Sequence, residues 1–518
     1  LVQWNSVTLV INGRDLDRQQ LVRVARGGEP VALDQAVAAR MMESNAIVKT
    51  ALGDGRSVYG LSTAVGVLKR VEVGPDAAAD YSQRMIRQHA VAQGPEAPAE
   101  LVRGTILRLA NAFAEGSTGV RPLLAERLIA ALNEPGVPSI RTLGSIGQAD
   151  LAPMANLAVA LFSDLTLEAG EGLALVSSNA FSTAAAALAV AEAERLLDTM
   201  DVAGALGLEA IAARPTMLHQ AIGRVRPYPG LQQALARLGV LLEGSALWEP
   251  ATPRNLQDPL TFRNLPQVQG ACRDVLDHVD RQLVIELNAS QSNPIVLPEE
   301  GAVISVANFE ILPLAVALDY LRIVLATALS SASERTVKLL QAPWSGLPTG
   351  LTPTGGTSDP GLGYFGIATQ ALAAEARLLA QPVSFEIVST THAEGIEDRM
   401  TMAPLAARRV AEMVALGDRI VALELAVAAQ AAELRGLRLG RGTAAAVSAV
   451  RTVVPFLDDG DTVPDIEPLV ALVRRGVLAE SAGAEAASAD SGAFESAVAT
   501  PGATDRLHSV DPSAAPIG

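Results

Sequence analysis

The sequence predicts an all-α fold organised around long helices, and three observations predict it. Apolar residues are 49% of the 518, enough for a large core, while aromatics are only 3%. An interior filled by Ala, Leu and Val suits close helix packing better than sheet faces, where aromatic and β-branched residues are enriched. Apolar positions also recur at three- and four-residue spacing with charges between them, the signature of amphipathic helices. One such pattern, Leu312–Leu340, runs for about 30 residues, long for a globular helix, and points to a bundle of long central helices.

In chain order, residues 1–60 read as a short extended piece, Val7–Ile11, followed by alternating helices and turns. From Ala99 onward helical patterns dominate: Leu101–Ala114, Pro122–Asn133, Ser182–Asp198, Ala271–Asn288 and Leu312–Leu340. Segments rich in Pro and Gly, Asn133–Leu143, Arg226–Gly230 and Leu347–Gly363, read as loops, because helical patterns resume immediately after each. Three regions are expected. Residues 1–200 form an N-terminal region, 201–480 a central bundle with C-terminal helices, and 481–518 a tail too poor in apolar residues to bury a core.

Charge and residue counts exclude several classes. Lys+Arg number 40 against 56 Asp+Glu, a net charge of −16, which argues against a protein that grips nucleic acid by neutralising phosphates. A single cysteine, Cys272, excludes a disulfide framework or thiolate metal cluster and reads as a small buried residue. His89, His219, His278, His392 and His508 lie too far apart for a local metal motif, so no metal is expected. No stretch reads as a membrane span: Ile311–Ser330 is broken by Asp319 and Arg322. The amino end lacks a basic region followed by an apolar one, so no secretory signal is read and a cytoplasmic location is expected. Gly361-Leu-Gly363-Tyr-Phe-Gly366 matches a dinucleotide motif literally, but a Pro/Gly loop stands where a strand is required.

A collinear series of segments carries more. Val58-Tyr-Gly-Leu-Ser-Thr-Ala-Val-Gly66 is similar to a Y-G-x-x-T-G-F-G loop, and Ser82-Gln-Arg-Met-Ile-Arg-Gln-His89 to a Q-R-x-L-x-x-S-H helix. Gly144-Ser-Ile-Gly147 and Asp150-Leu-Ala-Pro153 are similar to G-S-V-G and D-L-A-P, and Arg226-Pro-Tyr-Pro-Gly230 resembles R-P-H-P-G. Gln257-Asp-Pro-Leu-Thr-Phe-Arg263, Glu286–Pro294, Asn308-Phe309, Ser345–Pro348, Glu397-Asp398 and Val454–Leu457 continue the series. On these segments the chain resembles the aromatic amino acid ammonia-lyase and aminomutase family, the histidine and phenylalanine lyases, over roughly residues 7–470. The resemblance implies an ammonia-lyase-like (fumarase/aspartase-type) bundle, a small-molecule substrate, and a homotetramer whose active sites draw on several subunits.

Members of that family build an electrophile, 4-methylideneimidazole-5-one (MIO), from an internal Ala-Ser-Gly whose Ser loses water. Here Gln148-Ala149 stands in place of the tripeptide, neither residue has a hydroxyl to eliminate, and Ser145 lies outside the cyclising positions. The resemblance therefore implies that no MIO forms.

By the same resemblance Tyr59 falls on the catalytic tyrosine that takes the β-proton; its bland alternative is a packed loop tyrosine. Arg263 falls on the arginine that clamps the substrate carboxylate, or else pairs with a nearby acid. Gln257 and Asn308 match polar pocket positions and Phe309 an apolar wall, while Ser177 replaces a pocket Asn. His89 and Glu397 match positions that meet the substrate ring, or are satisfied core polar residues. Leu260 replaces a second tyrosine, and Asn308-Phe-Glu-Ile311 stands for N-F-H-G. The expected function is an enzyme working without MIO in specialised metabolism, using Tyr59 for an elimination, isomerisation or cyclisation. A non-catalytic ligand-binding or structural homologue ranks second, and a true ammonia-lyase third.

Overall fold

A computed structural model describes residues 8–355, 358–385 and 395–480. The tail expected at 481–518, and Val7 at the start of the extended piece, lie outside these residues.

Four helices form the centre: Ala180–Ile211, Leu265–Asn288, Leu312–Leu339 and Ala403–Arg435. The long central helix expected from Leu312 is therefore present, and it is one of several. Ala180–Ile211 runs through residue 200, so the regions on either side of that position share one helix. Alanine lets these helices approach closely, and two glycines bring them closer still. A Cβ on Gly204 would lie 2.8 Å from the Leu265 side chain, and one on Gly417 would lie 2.4 Å from that of Leu196. Glycine inside a helix costs about 1 kcal/mol relative to Ala, so its use here reflects packing rather than propensity. Two of the four, Ala180–Ile211 and Ala403–Arg435, stop where the backbone turns left-handed, at Ala212 (φ 54°) and Gly436 (φ 68°), whose N–H groups return to carbonyls of the last turn.

Two buried ion pairs cross the bundle, where a charge left alone in a low-dielectric interior would be costly. Arg335 donates to Glu424 at 2.6 and 3.1 Å with both side chains almost fully enclosed. Asp201 accepts from Arg237 at 2.8 Å and also from Arg273. Two stretches, Glu171–Ile211 and Leu312–Leu339, are long and apolar enough to cross a membrane, which the sequence reading did not expect of any stretch. Burial supplies the reason for their apolarity: 94% and 61% of their most apolar windows lie inside the protein.

Strands are few and short. Leu9–Ile11 pairs in parallel with Val31–Leu33, Gln93–Glu96 antiparallel with Arg141–Leu143, and Ile295–Leu297 antiparallel with Ala302–Ile304. The last two pairs matter for function. One leads into the loop 144–150 and the other into the turn 305–311, and these two segments meet across a cavity.

Candidate functional site

Most of the residues singled out from the sequence converge on one cavity of about 810 Å³. Tyr59, His89, Gln148, Ala149, Ser177, Phe309 and Glu397 all line it, although they are spread over most of the chain.

Tyr59 sits in a compact turn in which the Val58 carbonyl accepts N–H bonds from Leu61 and Ser62 at 3.1 and 3.0 Å. Gly60 permits the turn, with φ at 71° and a position where a Cβ would lie 2.2 Å from Leu173. The Tyr59 hydroxyl accepts the Gly66 N–H at 3.0 Å. Burial pushes its pKa above the usual value near 10; the Gly66 N–H opposes the rise and the negative charge of Glu397 adds to it. The phenol therefore carries its proton at neutral pH.

His89 caps the helix Ala78–Gln88, and Tyr81, Met85 and His89 follow one another at four-residue steps along the cavity. Nδ1 of His89 lies 2.9 Å from the Met85 carbonyl, so that nitrogen donates to it. Tyr81 was missed from the sequence, though the same periodicity, extended one turn back from Met85, finds it. Its hydroxyl accepts the Val65 N–H at 3.0 Å.

The floor is the loop 144–150, held from several sides. Ser145 Oγ donates to Asp150 at 2.7 Å, and the Ser182 N–H and hydroxyl donate to the other carboxylate oxygen, each at 2.7 Å. Thr401 Oγ1 donates to the Gly147 carbonyl at 2.8 Å, and the Thr401 and Met402 N–H groups reach the Ile146 carbonyl. Gly147 has φ at 78°, and a Cβ there would fall 2.2 Å from Thr401 Oγ1. Ala149 is left-handed at φ 55° without being glycine, a conformation that costs about 1–3 kcal/mol.

The wall opposite is Ala307–Ile311. Gln148 and Glu310 form an isolated antiparallel bridge, and Gln148 Nε2 donates to Glu310 Oε2 at 2.8 Å. Arg399 approaches the same oxygen at 3.5 Å, and Glu310 Oε1 accepts the Leu312 N–H at 3.1 Å, capping the long helix. Phe309 is held by its carbonyl, which accepts from Asn179 Nδ2 at 2.9 Å. Ser177 is buried where the short helix Glu171–Val176 ends. Glu310 and Arg399 were not singled out as site residues. The only sequence signal was the replacement of His by Glu in the N-F-H-G pattern.

Three expected residues are not brought to this cavity. Gln257 is exposed and accepts from the Arg263 guanidinium, and neither lines the cavity. Asn308 is exposed and donates to the Ser290 carbonyl at 3.4 Å instead. For Arg263 the pairing is thus with a neutral amide, and not with the nearby acid that was its bland alternative.

The family model described as aromatic amino acid lyase matches residues 16–165 and 160–452. The chain belongs to the aromatic amino acid lyase family. It is 35% identical to histidine ammonia-lyase of Symbiobacterium thermophilum, over 90% of this chain and 96% of that one. It is 34% identical to histidine ammonia-lyase of Gloeobacter violaceus, over 93% and 98%. Among solved structures, it superposes on ergothionase, an ergothioneine-degrading enzyme of Treponema denticola, with a TM-score of 0.86 at 28% identity over 92% of this chain and 99% of that one. Histidine ammonia-lyase of Trypanosoma cruzi gives 0.83 at 26% identity over 97% and 100%.

These relatives overturn the order of functions expected from the sequence. That order placed MIO-independent isomerisation, cyclisation or other elimination first, a non-catalytic homologue second and a true ammonia-lyase last. Relatives matched over most of their length are named histidine ammonia-lyase, so histidine-type lyase chemistry moves to the front. The expectation leaned on one missing tripeptide and gave too little weight to the rest of the collinear framework.

The residues of the floor do not fit the MIO group. Between Ile146 and Asp150 no side chain bears a hydroxyl, and the Ser145 hydroxyl is committed to Asp150 and to the Gly147 N–H.

Proposed function

We propose that this chain is a histidine-type lyase, taking histidine or a close imidazole amino acid and expelling its amine across the Cα–Cβ bond. One observation carries the reading: among the described residues the cavity lining holds Glu310, Glu397 and Asp398 against Arg399 as the one guanidinium, with Tyr59 beside them. An acidic lining favours a cationic ligand. Histidine is the aromatic amino acid whose ring titrates near neutrality, with a pKa of about 6.5, so a neighbouring carboxylate can hold it as imidazolium. A cationic ring draws electrons from Cβ and makes its proton easier to remove. Phenylalanine and tyrosine offer no such handle. Ergothioneine, named for the Treponema denticola enzyme, carries an imidazole-derived ring too, which supports the same substrate class.

The step balances on this chain's own residues. Tyr59, as phenolate, takes the β-proton; the C–H electron pair becomes the new C=C bond, and the Cα–N pair leaves with nitrogen as ammonia. Because burial and Glu397 raise the Tyr59 pKa, the phenolate is a minor species at neutral pH and its share grows with pH. The reading includes a homotetramer, in which Arg263 of another copy would supply the carboxylate clamp. Leu256 and Leu260, 83% and 64% exposed, leave an apolar face beside Gln257 and Arg263 that suits such a contact. It also includes a cytoplasmic location, in keeping with the burial of both long apolar stretches.

The test is incubation of the purified protein with L-histidine, L-phenylalanine and L-tyrosine, following ammonia and the matching acrylate. Urocanate and ammonia from histidine, with nothing from the other two, is expected. Release from phenylalanine or tyrosine alone, or from none of them, would sink the reading.

A further inference from the structure

Glu310 lines the cavity with its side chain fixed by two neutral donors, and its surroundings suggest a task. We propose that Glu310, oriented by Gln148, is the anchor for the ammonium group of the substrate. This rests on the imidazole amino acid reading above and adds a residue and a role to it.

The argument starts from capacity. An ionised carboxylate offers about four acceptor sites. At Glu310 the Leu312 N–H takes one on Oε1 at 3.1 Å and the Gln148 amide takes one on Oε2 at 2.8 Å. Both bonds come from neutral donors, so they fix the side chain without cancelling its charge. Arg399 is the cation nearby, but its 3.5 Å approach is at the outer limit of a hydrogen bond, and the two side chains are 50% and 34% exposed. A pair of that kind is worth about 0–1 kcal/mol, too little to hold the carboxylate against a competing cation. Glu310 therefore keeps acceptor capacity and charge facing an 810 Å³ space.

Position completes the case. The main chain of Gln148 bridges that of Glu310, so the carboxylate stands directly against the floor segment that lacks a hydroxyl to eliminate. Tyr59 and Glu310 line the same cavity, so one ligand can meet both. There Glu310 offers an ion pair and charge-assisted hydrogen bonds, which are roughly twice as strong as neutral ones. The amine would stay an ammonium throughout binding and leave with its bonding pair as ammonia. Gln148 acts as a positioning residue, because its amide holds the Glu310 rotamer.

The experiment compares L-histidine with imidazolepropionic acid, which has the same ring and carboxylate but no amine, by titration calorimetry on the full chain in a Tyr59→Phe background that suppresses turnover, with wild type meaning the native residues at 148 and 310. The wild type should bind histidine more tightly. Glu310→Gln should weaken histidine binding about tenfold or more, while imidazolepropionate stays within about twofold. Gln148→Ala should act in the same direction but more weakly, about threefold, and intact mass should match the sequence without loss of water. Equal weakening of both ligands would show a structural role and overturn the assignment, as would unchanged histidine binding in Glu310→Gln. A wild-type mass lowered by water lost from the floor would also overturn it. If the wild type binds both ligands equally, the anchor fails while the imidazole reading stands; if it binds neither, both fall.

Discussion

Asp150, enclosed in the floor loop behind the cavity, and Glu310, in the cavity wall, are carboxylates under opposite conditions. Asp150 has no exposed surface, and its oxygens are taken by the Ser145 hydroxyl and by the N–H and hydroxyl of Ser182. Burial drives its pKa upward and the three neutral donors only partly offset this. Glu310 is a third exposed, keeps acceptor capacity, and meets the Arg399 guanidinium at 3.5 Å. The contrast separates two uses of one functional group. An enclosed carboxylate surrounded by neutral donors fixes the backbone of the floor, whereas an open one at the wall is available to a ligand. The floor retains the clamp of Asp150 and Thr401 although the residues between them no longer fit the family's electrophile.

The largest effect should come from neither carboxylate. Tyr59→Phe should lower histidine turnover by about 10²–10⁴-fold while the denaturation midpoint hardly moves; a variant that kept its rate would remove Tyr59 from the chemistry. Next is Asp150→Ala, which strands two hydroxyls and an N–H in the interior and should cost about 3 kcal/mol in urea unfolding. A loss as small as that of a surface substitution would erase the contrast with Glu310. Gly147→Ala should cost about 2 kcal/mol, since the new Cβ meets Thr401 Oγ1 in a left-handed backbone.

The smallest effect is a slope. Asp150, Glu209 and Glu424 all have pKa values raised by burial, so the folded state holds their protons more tightly than the unfolded chain. The stability from these groups is full below the unfolded pKa of about 4 and is lost as pH rises through their folded values. Urea midpoints should therefore fall less steeply over that range in Asp150→Asn than in the wild type. Identical slopes would mean that Asp150 is no more protonated in the fold than outside it.

Particular residues show how far the sequence could be read. The long helices were legible because apolar residues at helical spacing mark a buried stripe whatever it packs against. Tyr59, His89, Ser177, Phe309 and Glu397 were legible as a set because motif order survives, and they do line one cavity. Gln257, Arg263 and Asn308 matched motifs equally well yet lie away from it, since a motif records residue identity and not which surface of a protomer the residue occupies. The same limit made one lost tripeptide seem decisive for function when the surrounding framework spoke for histidine-type lyases.

By itself, then, the sequence determined the helical class and the family and singled out Tyr59 as a candidate, because periodicity and ordered motifs are properties of the chain in one dimension. Tertiary structure alone decided that Gln148 meets Glu310 across 162 residues, that Thr401 locks Gly147, and that one carboxylate is sealed while another stays open. Those outcomes depend on burial and on hydrogen bonds between distant segments, which leave no periodic trace in the chain.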